Sequence, residues 1–286
     1  MNQNKPVEQG NVIGICYKLL ADTAKDRLMR LEANTIAGNF LILLAFHFNL
    51  FDFIVRMAVT LVLNLLGYFI NDFIDVDIDS ASEKKDHAKA LFIKQHKRTA
   101  FALIVYMSAA LIIFTLFYSK SVCFGVIMLL LIVTVYTEYF KNVVFLDVVF
   151  IGLWGFALSW LAIPDFSWQG IKLIILLFIF GCCFEATQTV KDYEEDRRFG
   201  LTTTSIVIGI PKTFLLLRIL YILSALYAIF VLQELVGILL ITPVFFNREQ
   251  KTSTYWTKLK IVCGIVWLTI MVKLFLGIHS LKTLLY

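Results

Sequence analysis

Two acidic strings are the residues in this chain best suited to chemistry. NDFIDVDID, Asn71 to Asp79, closes one long apolar run, and DYEED, Asp192 to Asp196, closes another more than a hundred residues later. A carboxylate at membrane depth costs about 2.5–3.5 kcal/mol on insertion scales. A chain that gathers at least five of them beside apolar runs should have something cationic for them to hold. Mg²⁺ with a phosphorylated substrate is the obvious candidate. The ion is hard, takes carboxylate and water oxygens, and commonly bridges to substrate phosphates instead of sitting in an all-protein cage.

Spacing supports this reading. Asp72, Asp75 and Asp79 recur at i, i+3 and i+7, which puts them on one helical face, with Asn71 at its edge. Asp77 points elsewhere, toward solvent. The plainer alternative, a polar helix end snorkelling into the interface, would not need several acids on one stripe. In the second region Glu185, Gln188, Asp192, Glu195 and Asp196 form a continuous polar stripe on an otherwise apolar helix. Glu185 lies about a turn and a half deeper than Asp192. Its plainer alternative is a hydrogen bond to a neighbouring helix, since buried acids without partners are not tolerated. Lys84, Lys85, Lys89, Lys141, Lys191, Arg197 and Arg198 are close enough in sequence to neutralise a bound diphosphate. Most of these read better as topology determinants; Lys141 and Arg197 are the exceptions.

The elements that must carry these residues are membrane helices. The chain is 59% hydrophobic and 16% charged over 286 residues, with a mean hydropathy of +0.81. Typical domains are about 45–50% apolar and about 25% charged. The apolar residues fall in nine blocks of bilayer-crossing length, roughly 35–51, 54–74, 100–117, 121–138, 143–163, 170–190, 213–231, 232–247 and 261–281. The boundary between the seventh and eighth rests on little beyond Gln233 and Glu234. With nine crossings and a cytoplasmic N-terminus, all but six of the 26 Lys and Arg fall in cytoplasmic segments; the six are Arg56, Lys120, Lys172, Arg218, Lys273 and Lys282. That bias fixes the orientation and places both acidic strings on the cytoplasmic face. It also accounts for the basic residues without nucleic-acid binding.

The predicted fold is therefore all-α: a polytopic bundle of about nine transmembrane helices around a central cavity. Residues 1–33 form a cytoplasmic amphipathic segment, with no signal peptide visible, and residues 34–286 form one membrane domain. Cys16, Cys123, Cys182, Cys183 and Cys263 have no metal-ligand spacing and read as free thiols, Cys182 and Cys183 as small core residues.

At this point the chain resembles the UbiA superfamily of intramembrane prenyltransferases. Asn71, Asp72, Asp75 and Asp79 match that family's N-D-x-x-D-x-x-x-D motif after its second helix. Asp192 and Asp196 match its D-x-x-x-D motif after helix six, and Arg197, Gly200 and Thr202 follow as its members often have them. Glu185 and Glu195 look like acids that flank the second motif in the 4-hydroxybenzoate branch. Tyr136 and Lys141 resemble its Tyr-x-x-x-Lys element with one residue inserted, and Gly152 keeps the usual distance beyond. LMRLE, Leu28 to Glu32, is similar to the branch's start of helix one, which makes Arg30 a candidate for holding diphosphate or an acceptor carboxylate. The segment KKDHAKALFIKQ lacks the Arg-Pro pair usual after the first motif, and the Pro usual near the start of helix one is missing.

The resemblance implies an integral membrane enzyme, in the plasma membrane if bacterial, with its active site toward the cytoplasmic face. It would transfer a prenyl group from a (poly)prenyl diphosphate to a small aromatic or lipid-like acceptor. Mg²⁺ would be held by Asn71, Asp72, Asp75, Asp79, Asp192, Glu195 and Asp196. The substrates would meet Asn71, Arg30, Tyr136, Lys141, Lys191 and Arg197, with Asp75, Asp192, Glu185 and Lys141 as the catalytic set. Glu185 or Asp75 would take the released proton. Two other readings use the same acids. A terpene cyclase of this superfamily would capture the allylic cation with the chain's own double bond. An ion or solute transporter would set its acids near the midplane on broken helices, whereas most here cluster at helix ends on one side. The Asp-Gly and Ala-Arg elements of CDP-alcohol phosphotransferases are absent near both strings.

Overall fold

The computed structural model describes residues 11–29, 34–81, 87–247 and 252–278, and among these the fold is all-α. Helix α1 (Val12–Met29) precedes α2 (Asn34–Ala45) and the long α3 (Leu50–Ile74). Two short helices, α4 (Val76–Asp79) and α5 (His87–Gln95), lead to α6 (Lys97–Tyr118) and α7 (Lys120–Val135). A π-helical turn (Tyr136–Phe140) extends α7; α8 (Leu146–Trp160) and α9 (Trp168–Arg198) follow. After α10 (Thr204–Ile208), α11 (Ile210–Leu226) continues into a second π-helical turn (Tyr227–Val231). A 3₁₀ helix (Leu235–Phe245) and α12 (Thr252–Phe275) complete the described chain.

Five of these segments are long and apolar enough to cross a bilayer: Leu50–Ile74, Lys97–Tyr118, Lys120–Phe140, Trp168–Arg198 and Ile210–Val231. Thr35–Ala45, Leu146–Trp160 and Leu235–Phe245 are shorter apolar helices. Each of the nine apolar blocks coincides with one helical segment, but their lengths differ from expectation. The first helix stops at Ala45 instead of running to residue 51. His47 takes a positive φ of 53°, and Asn49 caps α3 by accepting from the Asp52 amide at 2.9 Å. The seventh and eighth segments part at Gln233 (φ 56°) and Glu234, whose buried carboxylate accepts from Lys273 of α12 at 2.8 Å. The eighth has only 11 residues. As a 3₁₀ helix at ~2.0 Å per residue it spans about 22 Å, against about 16 Å as an α-helix.

The helices pack in a closed circuit: α2 against α3, α3 against α7, α7 against α8, α8 against α9, α9 against α11, then the 3₁₀ helix, α12 and back to α2. Helix α6 lies outside α3 and α7. The inner faces form apolar cores such as Leu63, Leu129, Val133 and Leu158 on one side and Leu176, Leu217, Leu259 and Ile270 on the other. The outer faces are equally apolar, with Phe101, Tyr106, Phe117, Leu131, Ile219 and Phe230 exposed. Helices that are hydrophobic all round suit lipid, not water.

Several buried polar side chains bond across the helices. Arg56 donates to the carbonyls of Leu161 and Ile163, both at 2.9 Å, and to Asp165 at 2.5 Å, tying α3 to the α8–α9 turn. Asn39 donates to the Leu158 carbonyl at 2.9 Å. Helices α8 and α9 pack tightly against each other. A Cβ on Gly152 would lie 2.5 Å from Cys182 Sγ and 2.8 Å from the Phe178 carbonyl, and one on Gly181 2.9 Å from Gly152 Cα. Small residues let membrane helices approach this closely, which explains Gly152 and the small Cys182 beside it.

Candidate active site at the helix ends

The first acidic string keeps its stripe. Asp75 sits where α3 gives way to α4, yet its amide still bonds the Asn71 carbonyl and the Asp79 amide bonds the Asp75 carbonyl, each at 2.9 Å. The helical register therefore runs through the break, and Asp72, Asp75 and Asp79 are all buried. Asp77 lies off the stripe, exposed, and pairs with Lys94 at 2.7 Å, which holds its carboxyl below the usual range.

The three buried acids meet different partners. Asp72 accepts from Arg27 of α1 and Lys89 of α5, both at 2.9 Å, and Lys89 also donates to Asp26 at 2.9 Å. Arg27 lies 4.1 Å over the Tyr68 ring. Asp72 is thus turned toward α1 and α5. Asp75 instead accepts from Asn71 at 3.2 Å and from Lys141, which is in direct contact with the same oxygen. Thr137 donates to Asn71 at 3.4 Å.

Lys141 reaches Asp75 from the turn after α7. Tyr136 and Lys141 are one residue further apart than in the Tyr-x-x-x-Lys element they resemble, and a π-helical turn spans them: the Lys141 amide bonds the Tyr136 carbonyl at 2.8 Å across five residues. Tyr136 therefore stays buried below Lys141.

Lys141 also joins the two acidic strings. Together with Tyr136 and Asp147 it lines a cavity of ≈ 90 Å³ whose other walls include Glu185, Gln188, Asp192, Asp196 and Thr203. Gln188 donates to Asp192, and Thr203 donates to Asp196 at 3.0 Å. The cavity is therefore edged by one cation and several carboxylates, and Asp75, outside its lining, contacts the Lys141 ammonium.

Several other described residues singled out in the sequence do not line this cavity. Lys191 and Arg197 are exposed on α9 and do not line it. Glu195 is half-buried and, with Asp72 and Asp79, is outside its lining. Arg30, Lys84 and Lys85 lie outside the described residues. Conversely, Asp147, Thr203 and Thr204 hold the site together without any motif in the sequence pointing to them. Asp147 is 1% exposed, and its carboxylate accepts from the Thr204 amide at 2.6 Å and from the Thr204 hydroxyl. A lone acid opening an apolar run was the available signal. Arg27 lies in the N-terminal segment, where nothing in the sequence pairs it with Asp72.

Among the described residues no three His, Cys, Asp or Glu side chains close into a metal cage. The groups around the cavity are hard oxygen donors with open space between them. That suits an ion completed by waters and substrate phosphates.

This all-α membrane bundle, with two acidic strings brought to one end, matches the description of the UbiA prenyltransferase family over residues 33–277, and the chain belongs to that family. A comparison with curated protein sequences gives no match. Among solved structures, a UbiA homologue from Archaeoglobus fulgidus bound to GPP and Mg²⁺ is 14% identical, with a TM-score of 0.69 over 91% of this chain and 99% of that one. A digeranylgeranylglyceryl phosphate synthase is 17% identical with a TM-score of 0.69, covering 92% and 99%. The apo UbiA homologue from Aeropyrum pernix K1 is 16% identical with a TM-score of 0.61, covering 83% and 98%.

Proposed function

We propose that the protein transfers a prenyl group, with Mg²⁺, from a (poly)prenyl diphosphate to a small aromatic or lipid-like acceptor inside the membrane. The observation that carries this reading is Lys141, held by Asp75 of the first acidic string while facing the cavity edged by Glu185, Asp192 and Asp196 of the second. The GPP and Mg²⁺ in the A. fulgidus relative support the donor and the ion. A fold relative named as a digeranylgeranylglyceryl phosphate synthase supports a lipid-like acceptor beside an aromatic one.

In this reading Asn71, Asp75, Asp192 and Asp196 are the residues best set to hold Mg²⁺. When bound, the ion neutralises charge on the departing diphosphate. Lys141 does the same from the protein side, as a preorganised charge aimed where negative charge grows. Asn71 holds Asp75, and Gln188 holds Asp192, so that the carboxylates keep their aim. Glu185, deeper on α9, is within the same cavity and takes the proton released by the acceptor. The bundle crosses the membrane nine times with its N-terminus and active site on the cytoplasmic side, residues 1–33 preceding a membrane domain of residues 34–286.

Purified protein in nanodiscs, given Mg²⁺ and labelled farnesyl, geranylgeranyl or longer diphosphates, tests this with and without phenolic, naphthoic and glycerophosphate acceptors. A prenylated adduct formed only with one acceptor class is expected. A cyclised product without acceptor would replace the transferase reading with the cyclase.

A further inference from the structure

The two turns that carry the site's opposite charges are fastened together by residues outside both motifs. One turn, 141–146, follows Lys141; the other, 199–205, follows Asp196. Gly200, at a φ of 67°, lets the second turn reverse, and the Leu201 amide bonds the Asp196 carbonyl at 2.9 Å. The Thr202 hydroxyl donates to the Asn142 carbonyl. Thr204 is fully buried, and its hydroxyl donates to Asp147 while accepting from the Phe145 amide at 2.7 Å. Phe145 itself has a φ of 66°, a left-handed conformation that a bulky residue keeps only when its surroundings hold it. Ser205 donates to the Thr189 carbonyl at 2.7 Å, anchoring the same turn to α9. Thr203, one residue before Thr204, is the group that orients Asp196.

Asp147 sits at the centre of these contacts. One carboxylate oxygen takes the Thr204 hydroxyl and the Val148 amide (2.9 Å), and the other takes the Thr204 amide (2.6 Å). Three of its roughly four acceptor sites are taken by these protein donors, although it borders the cavity. We propose that Asp147 is a positioning residue: through Thr204 it clasps the 199–205 turn to the 141–146 turn, and so keeps Asp196 and Lys141 in register for a metal-bound diphosphate.

This inference rests on the prenyl-transfer reading, and the test separates the two. Mn²⁺ binding to the protein in nanodiscs, with inorganic diphosphate present, is titrated by electron paramagnetic resonance. Hydrogen exchange across residues 199–205 is followed in parallel. Asp147→Ala and Thr204→Val are expected to weaken Mn²⁺ binding at least about tenfold, the usual cost of losing an outer-shell partner, and to speed exchange in the turn. Thr204→Ser, which keeps the hydroxyl, restores both. Should Asp147→Ala fail to fold, Thr204→Val carries the test alone. Wild-type affinity in Thr204→Val overturns the proposal, as does loss in Asp147→Ala without loss in Thr204→Val, which would make Asp147 a ligand. Absence of diphosphate-dependent Mn²⁺ binding in the wild type would sink the prenyl-transfer reading itself.

Discussion

The buried acids of the first string carry different burdens, and substitutions should separate them. Lys141→Met removes the ammonium that Asp75 holds beside the cavity while keeping most of the side-chain volume. Turnover should fall about 10²–10³-fold, as when one preorganised electrostatic contact is lost from an active site, with expression and unfolding temperature kept; unchanged turnover would remove Lys141 from the mechanism. Asp72→Asn should act on stability instead. It leaves Arg27 facing a neutral amide, although Lys89 keeps Asp26. Breaking a buried pair outright costs roughly 3–5 kcal/mol; with that remaining partner, about 2 kcal/mol is expected. Thermal unfolding in detergent reads this directly, and a variant as stable as wild type would contradict the role. Spacing in the sequence put these acids on one face. It carried no information on which cation each would meet, because Arg27 and Lys89 arrive from segments 45 and 17 residues away.

At the scale of elements, the inserted residue between Tyr136 and Lys141 was visible in the sequence, but its consequence was not. An extra residue in a helix either rotates everything beyond it by about 100° or is absorbed locally as a π-turn. The structure takes the second course, and this preserves the contact to Asp75. Deleting exposed Glu138 should convert the turn to regular helix and leave activity within a few-fold of wild type. Loss of activity on deletion would mean that the π-turn itself is needed. The α8–α9 crossing makes the opposite demand. Gly152→Leu must push a side chain into space already held by Cys182 and the Phe178 backbone. Overpacking of this kind costs about 1–3 kcal/mol, and because α8 and α9 carry Asp147 and Glu185, turnover should fall together with unfolding temperature. An unaltered unfolding temperature would contradict the crossing.

Over the whole molecule, long apolar runs revealed the apolar helices because lipid demands apolar residues on every face, but not α1, α4, α5 or α10. Hydropathy could not set helix lengths, which depend on caps such as Asn49 and on the stretched 3₁₀ geometry of Leu235–Phe245. Nor could it find Asp147 and Thr204, whose roles exist only once two turns 57 residues apart are brought together. On the proposed reading, strings so distant in sequence form one site around Lys141. Mg²⁺-dependent diphosphate release from a labelled prenyl diphosphate, measured side by side for wild type, Asp75→Ala and Asp192→Ala in nanodiscs, tests it most directly. Release by the wild type and near-background rates in both variants, with folding intact, are expected. Full activity in both variants, or no Mg²⁺-dependent release by the wild type from any donor, would contradict it.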